Sequence, residues 1–496
     1  MTKTPSIPFV RFWTKQLAPW CLAGVVTYNG IISSSAVEAA TVTPAAKLNV
    51  ILILVDDLRP ALGCFGDKQA RSPAIDSLAT RGLCFSRAYA QSAYSTPSRI
   101  SMMTGIRPNA LSLADPAAAK NTLFPEAKSL PMLFKTAGYE AIGMGRVYMS
   151  NKDDADSWSS PVWQPSGTWV GRGYLEADNK AIATAPDNKD GRGPAFEIAT
   201  SPDAVYPDQV LADHAIKELQ RLQASSFFMT IGFRGPHLPL ASPKSYWDLH
   251  QNLQYQTRNT WPTGMPEIAG HNSSELRNYV GIPATGAVND ELNRTLARGY
   301  YASVSYVDAQ VGRILAELDR LQLTSNTIVV LSGDHGFKIG DYGAWNKFTG
   351  HDIDLHTPLM MMGPGIPVNT VSPALVELVD IVPTLAALCG IPAPTTNQGQ
   401  SLKPLFSDSG IAWKKAVYSL TPRGAVIGYS MRTDRWRYTE WVTGDLNQGS
   451  NQVMSYELYD HQIRTIVDRN LADLPENRDL MKLLGQQLRC GWKHSK

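Results

Sequence analysis

The chain has 496 residues, 43% hydrophobic and 18% charged, enough to bury a large core in one big domain or two ordinary ones. Its 46 Lys and Arg against 44 Asp and Glu give a formal charge of +2, without the basic excess of a nucleic-acid or polybasic membrane binder. With 38 Gly and 33 Pro it is neither collagenous nor disordered in composition, and a mid-sized globular enzyme is what remains.

At the N-terminus, Lys3, Arg11 and Lys15 precede an uncharged stretch from Gln16 to Val37, and small residues follow through Ala40. A positive start, an apolar middle and a small-residue end predict a secretory signal over residues 1–40 and a periplasmic or extracellular protein. A membrane anchor is the competing reading, but Pro19, Gly24, Asn29 and Gly30 make a poor hydrocarbon span. Removing Lys3, Arg11, Lys15 and Glu38 leaves 43 basic and 43 acidic side chains. An anionic substrate must then be caught by local positive groups. Beyond the leader, Cys64, Cys84, Cys389 and Cys490 show no paired zinc spacing, and one disulfide or four free thiols are both open.

Four runs predict strands that end in polar residues. Asn49–Val55 stops at Asp56-Asp57, and the weaker Glu140–Gly145 stops at Arg146. Phe227–Phe233 is followed by Arg234-Gly235-Pro236-His237, and Thr327–Ser332 by Gly333-Asp334-His335. The strongest are continuous apolar runs, the pattern of strands buried on both faces. Helical periods lie between them, such as the Tyr301, Val304, Val307, Val311, Ile314 and Leu318 stripe of Leu292–Leu321, which reads as core. The alternation predicts an α/β protein with a large, mostly parallel sheet flanked by helices, and ligands at the carboxyl ends of its strands. Adjacent carboxylates there raise each other's pKa, and a cation removes the penalty. Asp56, Asp57 and Asp334 offer the oxygens a hard divalent ion prefers; His335 beside them would be more ordinary for Zn2+.

The segment Ser95-Thr-Pro-Ser-Arg99-Ile-Ser-Met-Met-Thr104-Gly105 is the most specific in the chain. Pro97 suits a first helical turn and Gly105 a helix exit, which puts Ser95 at an N-terminus that favours anions. Read alone, Ser95 is a capping serine. The whole segment resembles the signature of the type I sulfatases: Cys or Ser, any residue, Pro, Ser or Ala, Arg, then Thr-Gly after four more. Further stretches carry the resemblance, closest to the iduronate-2-sulfatase branch: Val55–Arg59, Tyr301–Tyr306, Val311–Arg313, Gly333–Gly336, Gly343–Lys347 and Val379–Thr384.

The resemblance implies an alkaline-phosphatase-like fold and hydrolysis of sulfate esters, with residue 95 oxidised after translation to formylglycine. It implies a metal, usually Ca2+ with Mg2+ as an alternative, on Asp56, Asp57, residue 95, Asp334 and His335. Arg99 matches the arginine that holds the formylglycine hydrate, His237 a histidine contacting the sulfate or leaving oxygen, and Lys347 a sulfate-binding lysine. The implied substrate is a sulfated oligo- or polysaccharide, a 2-O-sulfated uronate on this branch. For a serine-type site, the implied partner is a formylglycine-generating radical maturase acting before export. Three positions depart: Arg146 and Met149 stand where relatives carry Lys and His, and Gly235 where the branch has Lys, with Arg234 beside it as a substitute. They keep open two alternatives, a phosphate or phosphonate ester hydrolase of the same superfamily and a non-catalytic binder of sulfated glycans.

After the Pro-rich connection Gly390–Asn397, the runs Ala416–Leu420, Ala425–Tyr429 and Arg435–Val442 predict antiparallel strands, and Pro475–Leu488 a helix. The expected organisation is thus a signal (1–40), a catalytic domain (41–405) and a smaller antiparallel-sheet subdomain (406–496). Tyr456–Gln462 resembles the family's C-terminal motif; packing is the preferred role for His461 and Arg464, proximity to substrate the alternative.

Overall fold

The structure, a computed structural model, describes residues 47–109, 113, 120–149, 154–165, 173–201, 205–255, 260–408, 410–446, 452–462 and 467–494. The predicted signal and Arg464 lie outside the described residues. Among the described residues no helix is long and apolar enough to cross a membrane.

Seven strands form the main sheet: β1 (Asn49–Val55), β2 (Leu83–Tyr89), β3 (Glu140–Gly145), β4 (Phe227–Phe233), β5 (Thr327–Gly333), β6 (His356–Met362) and β7 (Thr370–Glu377). Their order is β7-β2-β6-β5-β1-β4-β3, and β6 runs against its neighbours β2 and β5 while the other pairings are parallel. The mostly parallel sheet expected from the sequence is therefore present. β1 lies between β5 and β4, fully buried, and successive side chains point to opposite faces. Ile51, Ile53 and Val55 join one core with α4 (Pro207–Leu222) and α5 (Asp290–Arg320); α1 (Pro73–Thr80) completes that layer. Val50, Leu52 and Leu54 join the other with α2 (Ser95–Thr104), α3 (Leu130–Thr136) and α6 (Ile381–Leu388). Each such Val, Leu or Ile contributes about 1.5–3 kcal/mol by leaving water.

A second, antiparallel sheet follows, β8 (Ala416–Arg423), β9 (Val426–Thr433), β10 (Trp436–Thr443) and β11 (Val453–Asp460), in sequence order. The amphipathic α7 (Arg478–Cys490) lays Leu484 and Leu488 on its Met431, Tyr438 and Leu458. Backbone and side chain tie the two sheets together. Leu420 N donates to Gln91 O (2.8 Å) and Ser419 Oγ to Ala90 O (2.6 Å), just beyond β2. Buried Asp352 accepts from Arg432 (3.0 Å), Arg437 (2.5 Å) and Tyr89 Oη (3.1 Å). His461 Nε2 stands 3.8 Å from the same carboxylate. Arg437 and Asp352 are almost wholly buried, so losing one partner would leave an uncompensated charge at a cost of about 3–5 kcal/mol.

Burial also sets how the fold responds to acid. It pushes the imidazoles of His250 and His356 down to about 4 and that of His271 to about 3. In the unfolded chain each would titrate near 6.5, so between pH 6.5 and 4 the unfolded state binds more protons. Their contribution is complete above pH 6.5 and is lost as pH falls toward 4, by up to about 1.4 kcal/mol per pH unit for each. Thermal melts from pH 7.5 to 4.5 should show Tm falling steeply below 6.5. A flat profile would contradict the neutral, buried state of these rings.

Candidate active site

The carboxyl ends of β1, β3, β4 and β5 converge with the first turn of α2. The chain leaves β1 at Asp56, whose N–H still donates to Phe233 O of β4 (3.2 Å). Asp57 then takes a left-handed backbone (φ 61°), which Asp tolerates better than most residues. Tyr300 of α5 fixes that turn, its hydroxyl donating to Asp57 O (2.8 Å). Asp57 N–H donates to Asp334 Oδ1 (3.1 Å), joining the ends of β1 and β5 directly. At the end of β3, Gly145 has φ 69°, and a Cβ there would sit 2.3 Å from Gly232 O. Only glycine permits the approach that lets Arg146 N donate to that carbonyl (2.8 Å).

Ser95 opens α2, with its Oγ 3.0 Å from His335 Nε2 and 3.5 Å from Asp56 Oδ1. His335 Nδ1 faces Gly336 O at 2.9 Å, and a carbonyl only accepts, so Nδ1 carries the proton. Nε2 is left as a lone pair aimed at the site, the tautomer a metal ligand needs. One turn along α2, Arg99 is fully buried; Nε donates to Asp334 Oδ2 (2.9 Å), Nη2 lies 3.1 Å from Asp56 Oδ1, and Nη1 meets the carbonyl of Val147 (3.2 Å) and that of Arg146. Ser98 Oγ donates to Asp334 O. Spacing of three and four on one helix thus brings residues 95, 98 and 99 onto one cluster.

Arg146 Nε pairs with Asp56 Oδ2 (2.7 Å), and Lys347 Nζ with Asp57 Oδ1 (2.7 Å). Burial drives the Asp56 carboxyl up, but Arg146 and Arg99 beside it outweigh that and hold it well below the usual range. Burial pushes Asp57 up to about 7, opposed by Lys347 and reinforced by Asp56. Burial disfavours the Lys347 ammonium too, yet Asp57 and Glu275 raise it above its ordinary value and keep it charged.

Glu275, from the one-turn helix Ser274–Arg277, was not among the residues anticipated. Its Oε1 lies 3.0 Å from His237 Nε2 and its Oε2 3.4 Å from Lys347 Nζ. His237 Nδ1 faces Leu238 O (2.8 Å) and so carries a proton, and Nε2 donates to Glu275 only in the doubly protonated, imidazolium ring. Burial lowers the His237 imidazole against the pull of Glu275. Lys347 and His237 together overcome burial and hold Glu275 well below the usual range. Arg423 of β8 was likewise not anticipated. It reaches Phe348 O (2.7 Å), Gly270 O (3.0 Å) and Tyr94 Oη (3.4 Å), bracing the neighbours of both Lys347 and Ser95. Phe348 needs the support, because φ 83° strains a bulky side chain.

The departures have visible consequences. Arg146 Nη2 reaches Met149 Sδ (3.3 Å), and Met149 is 48% exposed. A Cβ on Gly235 would meet Val307 Cγ2 at 2.8 Å and Asp208 Oδ2 at 3.0 Å, so no longer side chain fits there. Arg234 donates through Nη2 to Leu238 O (3.3 Å) and lines a small cavity of about 30 Å3 with Asp208, His237 and Tyr306.

All nine anticipated residues therefore meet at one edge. Oxygens of Asp57 and Asp334 and a nitrogen of His335 lie within 4.8 Å of one another, and Asp57 Oδ2 is buried without a hydrogen-bond donor. Four carboxylates (Asp56, Asp57, Asp334, Glu275) face three obligate cations (Arg99, Arg146, Lys347). That donor set and residual negative charge fit a hard divalent cation.

A profile described as Sulfatase matches residues 48–391, and one described as N-sulphoglucosamine sulphohydrolase, C-terminal, matches residues 340–493. The chain belongs to the sulfatase family and is a sulfuric ester hydrolase. It is 30% identical to iduronate 2-sulfatase of Homo sapiens over 547 aligned residues, 93% of this chain and 98% of the human protein, which sets it on the iduronate-2-sulfatase-like branch. Two solved structures share the fold. One is a phosphonate monoester hydrolase from Silicibacter pomeroyi (TM-score 0.71, 20% identity, 91% of this chain and 96% of that one). The other was solved in complex with its substrate D-glucosamine-2-N,6-O-disulfate (TM-score 0.69, 21% identity, 90% of this chain and 98% of that one).

Proposed function

We propose that this exported sulfatase removes sulfate from a sulfated carbohydrate, a 2-O-sulfated uronate, through a formylglycine made from Ser95 and a divalent cation, Ca2+. The observation that carries the reading is the position of Ser95. Its Oγ stands at the start of a ten-residue helix, 3.0 Å from the His335 lone pair and beside Asp56, where an oxidised side chain would meet the cation. The relative named iduronate 2-sulfatase supports the sugar, and the residues 1–40 pattern supports export.

Asp56, Asp57, Asp334, His335 and residue 95 would hold the cation, which supplies Lewis acidity toward the attacking oxygen and the sulfate. The hydrated aldehyde adds what a serine lacks, one hydroxyl to attack sulfur and another to expel sulfate as the carbonyl re-forms. The remaining work falls to this chain's own side chains. Arg99 locks Asp56 and Asp334 in place, so the attacking group cannot drift. Arg146 and Lys347, already aligned by Asp56 and Asp57, face the charge that grows on the transferred group. As an imidazolium favoured by Glu275, His237 has a transferable proton on Nε2 and delivers it to the departing sugar oxygen.

Protein co-expressed with a radical maturase should show residue 95 lighter by two hydrogens in peptide mass spectra. It should release sulfate from an aryl sulfate far faster than phosphate from the matched aryl phosphate, and desulfate 2-O-sulfated uronate disaccharides. Faster phosphate release would favour the ester-hydrolase alternative. Glycan binding with no release of either anion would favour the non-catalytic one.

A further inference from the structure

Two thiols outside the active site meet across the fold. Cys64 lies in the 3-10 turn Gly63–Phe65, shortly after Asp57, and Cys84 lies in β2, whose chain runs on to Ser95. Each sulfur is within hydrogen-bonding reach of the other. Cys64 is half-buried and Cys84 is 2% exposed, and both line one cavity of about 360 Å3 with Arg59, Phe65, Ser86 and His356. Among the described residues the remaining cysteines are placed elsewhere: Cys389 beside Tyr139, and Cys490 exposed at the end of α7.

We infer that Cys64 and Cys84 form a disulfide in an oxidising compartment, closing the loop that carries α1 and tying the segment after Asp56-Asp57 to the strand that leads to Ser95. The oxidant is an external disulfide of the glutathione class. Its S–S bond breaks, it takes two electrons and two protons from the pair and leaves as two thiols, and the Cys64–Cys84 bond forms. The pair is poised for this. Cys64, half-buried, meets the external disulfide first, and Cys84, 2% exposed, then displaces the glutathione thiol from it. A cross-link of this kind acts mainly by removing freedom from the unfolded chain, so it stabilises without altering the site.

The full chain is incubated with oxidised glutathione, then denatured, alkylated and digested. The expected result is one cross-linked peptide joining Cys64 and Cys84 that separates on reduction, with Cys389 and Cys490 alkylated. Oxidised protein should also melt a few degrees above protein held in dithiothreitol. In Cys64→Ser, which alters the half-buried partner and spares the core, Cys84 is recovered alkylated and the gap in Tm between oxidised and reduced samples closes. Recovery of both Cys64 and Cys84 as alkylated peptides after oxidation overturns the inference. So does a cross-link from either one to Cys389 or Cys490.

Discussion

Ser95→Ala is expected to lower sulfate release by at least about a thousandfold while leaving the fold intact. The hydroxyl it removes contacts His335 and Asp56 at the mouth of the site and supports no buried backbone group. α2 itself is held by Ile100, Met102 and Met103 in the core and by Arg99, none of which is touched. Loss of activity should therefore come with a Tm close to that of the parent, and with no aldehyde at residue 95. Arg99→Lys separates orientation from chemistry, because one ammonium cannot replace contacts to Asp334, Asp56 and the backbone carbonyls at once. A Ser95→Ala protein that still turned over aryl sulfate at a tenth of the parental rate would remove residue 95 from the mechanism.

Asp334→Asn is expected to cost more than about a hundredfold in rate and to destabilise the protein as well. Oδ1 accepts from Asp57 N–H and Oδ2 from Arg99 Nε, so an amide keeps the first contact and sets a donor against the guanidinium in the second. Arg99, fully buried, is left short of its counter-charge, and the stability loss should reach about 3 kcal/mol. The cation adds an independent readout. Chelator should lower both the rate and the Tm of the parent, with recovery on adding Ca2+, and should leave the Tm of Asp334→Asn unchanged. A parent enzyme indifferent to chelator would rule out the divalent site, whatever the variant did.

Four strands of the main sheet were legible because β1, β4 and β5 are mostly apolar runs buried along their whole length and β3 ends in Gly145-Arg146. The three on the other flank were not, for physical reasons visible in their residues. β2 mixes Ser86 and Arg87 into its run. β7 contains Pro373, which an edge strand tolerates but which argues against a strand when read alone. β6 holds Pro358, accommodated where the register shifts between Thr357 and Leu359. In the C-terminal sheet β8, β9 and β10 match the short runs expected there, whereas β11 was known only as a family motif. His461 packs near Asp352, the role preferred for it.

By itself the sequence determined which side chains end the buried strands and that Ser95 to Gly105 forms one helical signature, since strand burial and helix punctuation are local properties. From these came the nine residues that share the edge. Only the tertiary structure decided which charges neutralise which: Arg146 on Asp56, Lys347 on Asp57, Arg99 between Asp56 and Asp334. It alone brought in Glu275 from a long connection without periodicity and Arg423 from another sheet. It also showed that Gly235 has no room for a side chain, because Val307 and Asp208 come from helices distant in sequence. Ion pairing and close packing depend on distances between segments tens to hundreds of residues apart, and no local pattern encodes those distances.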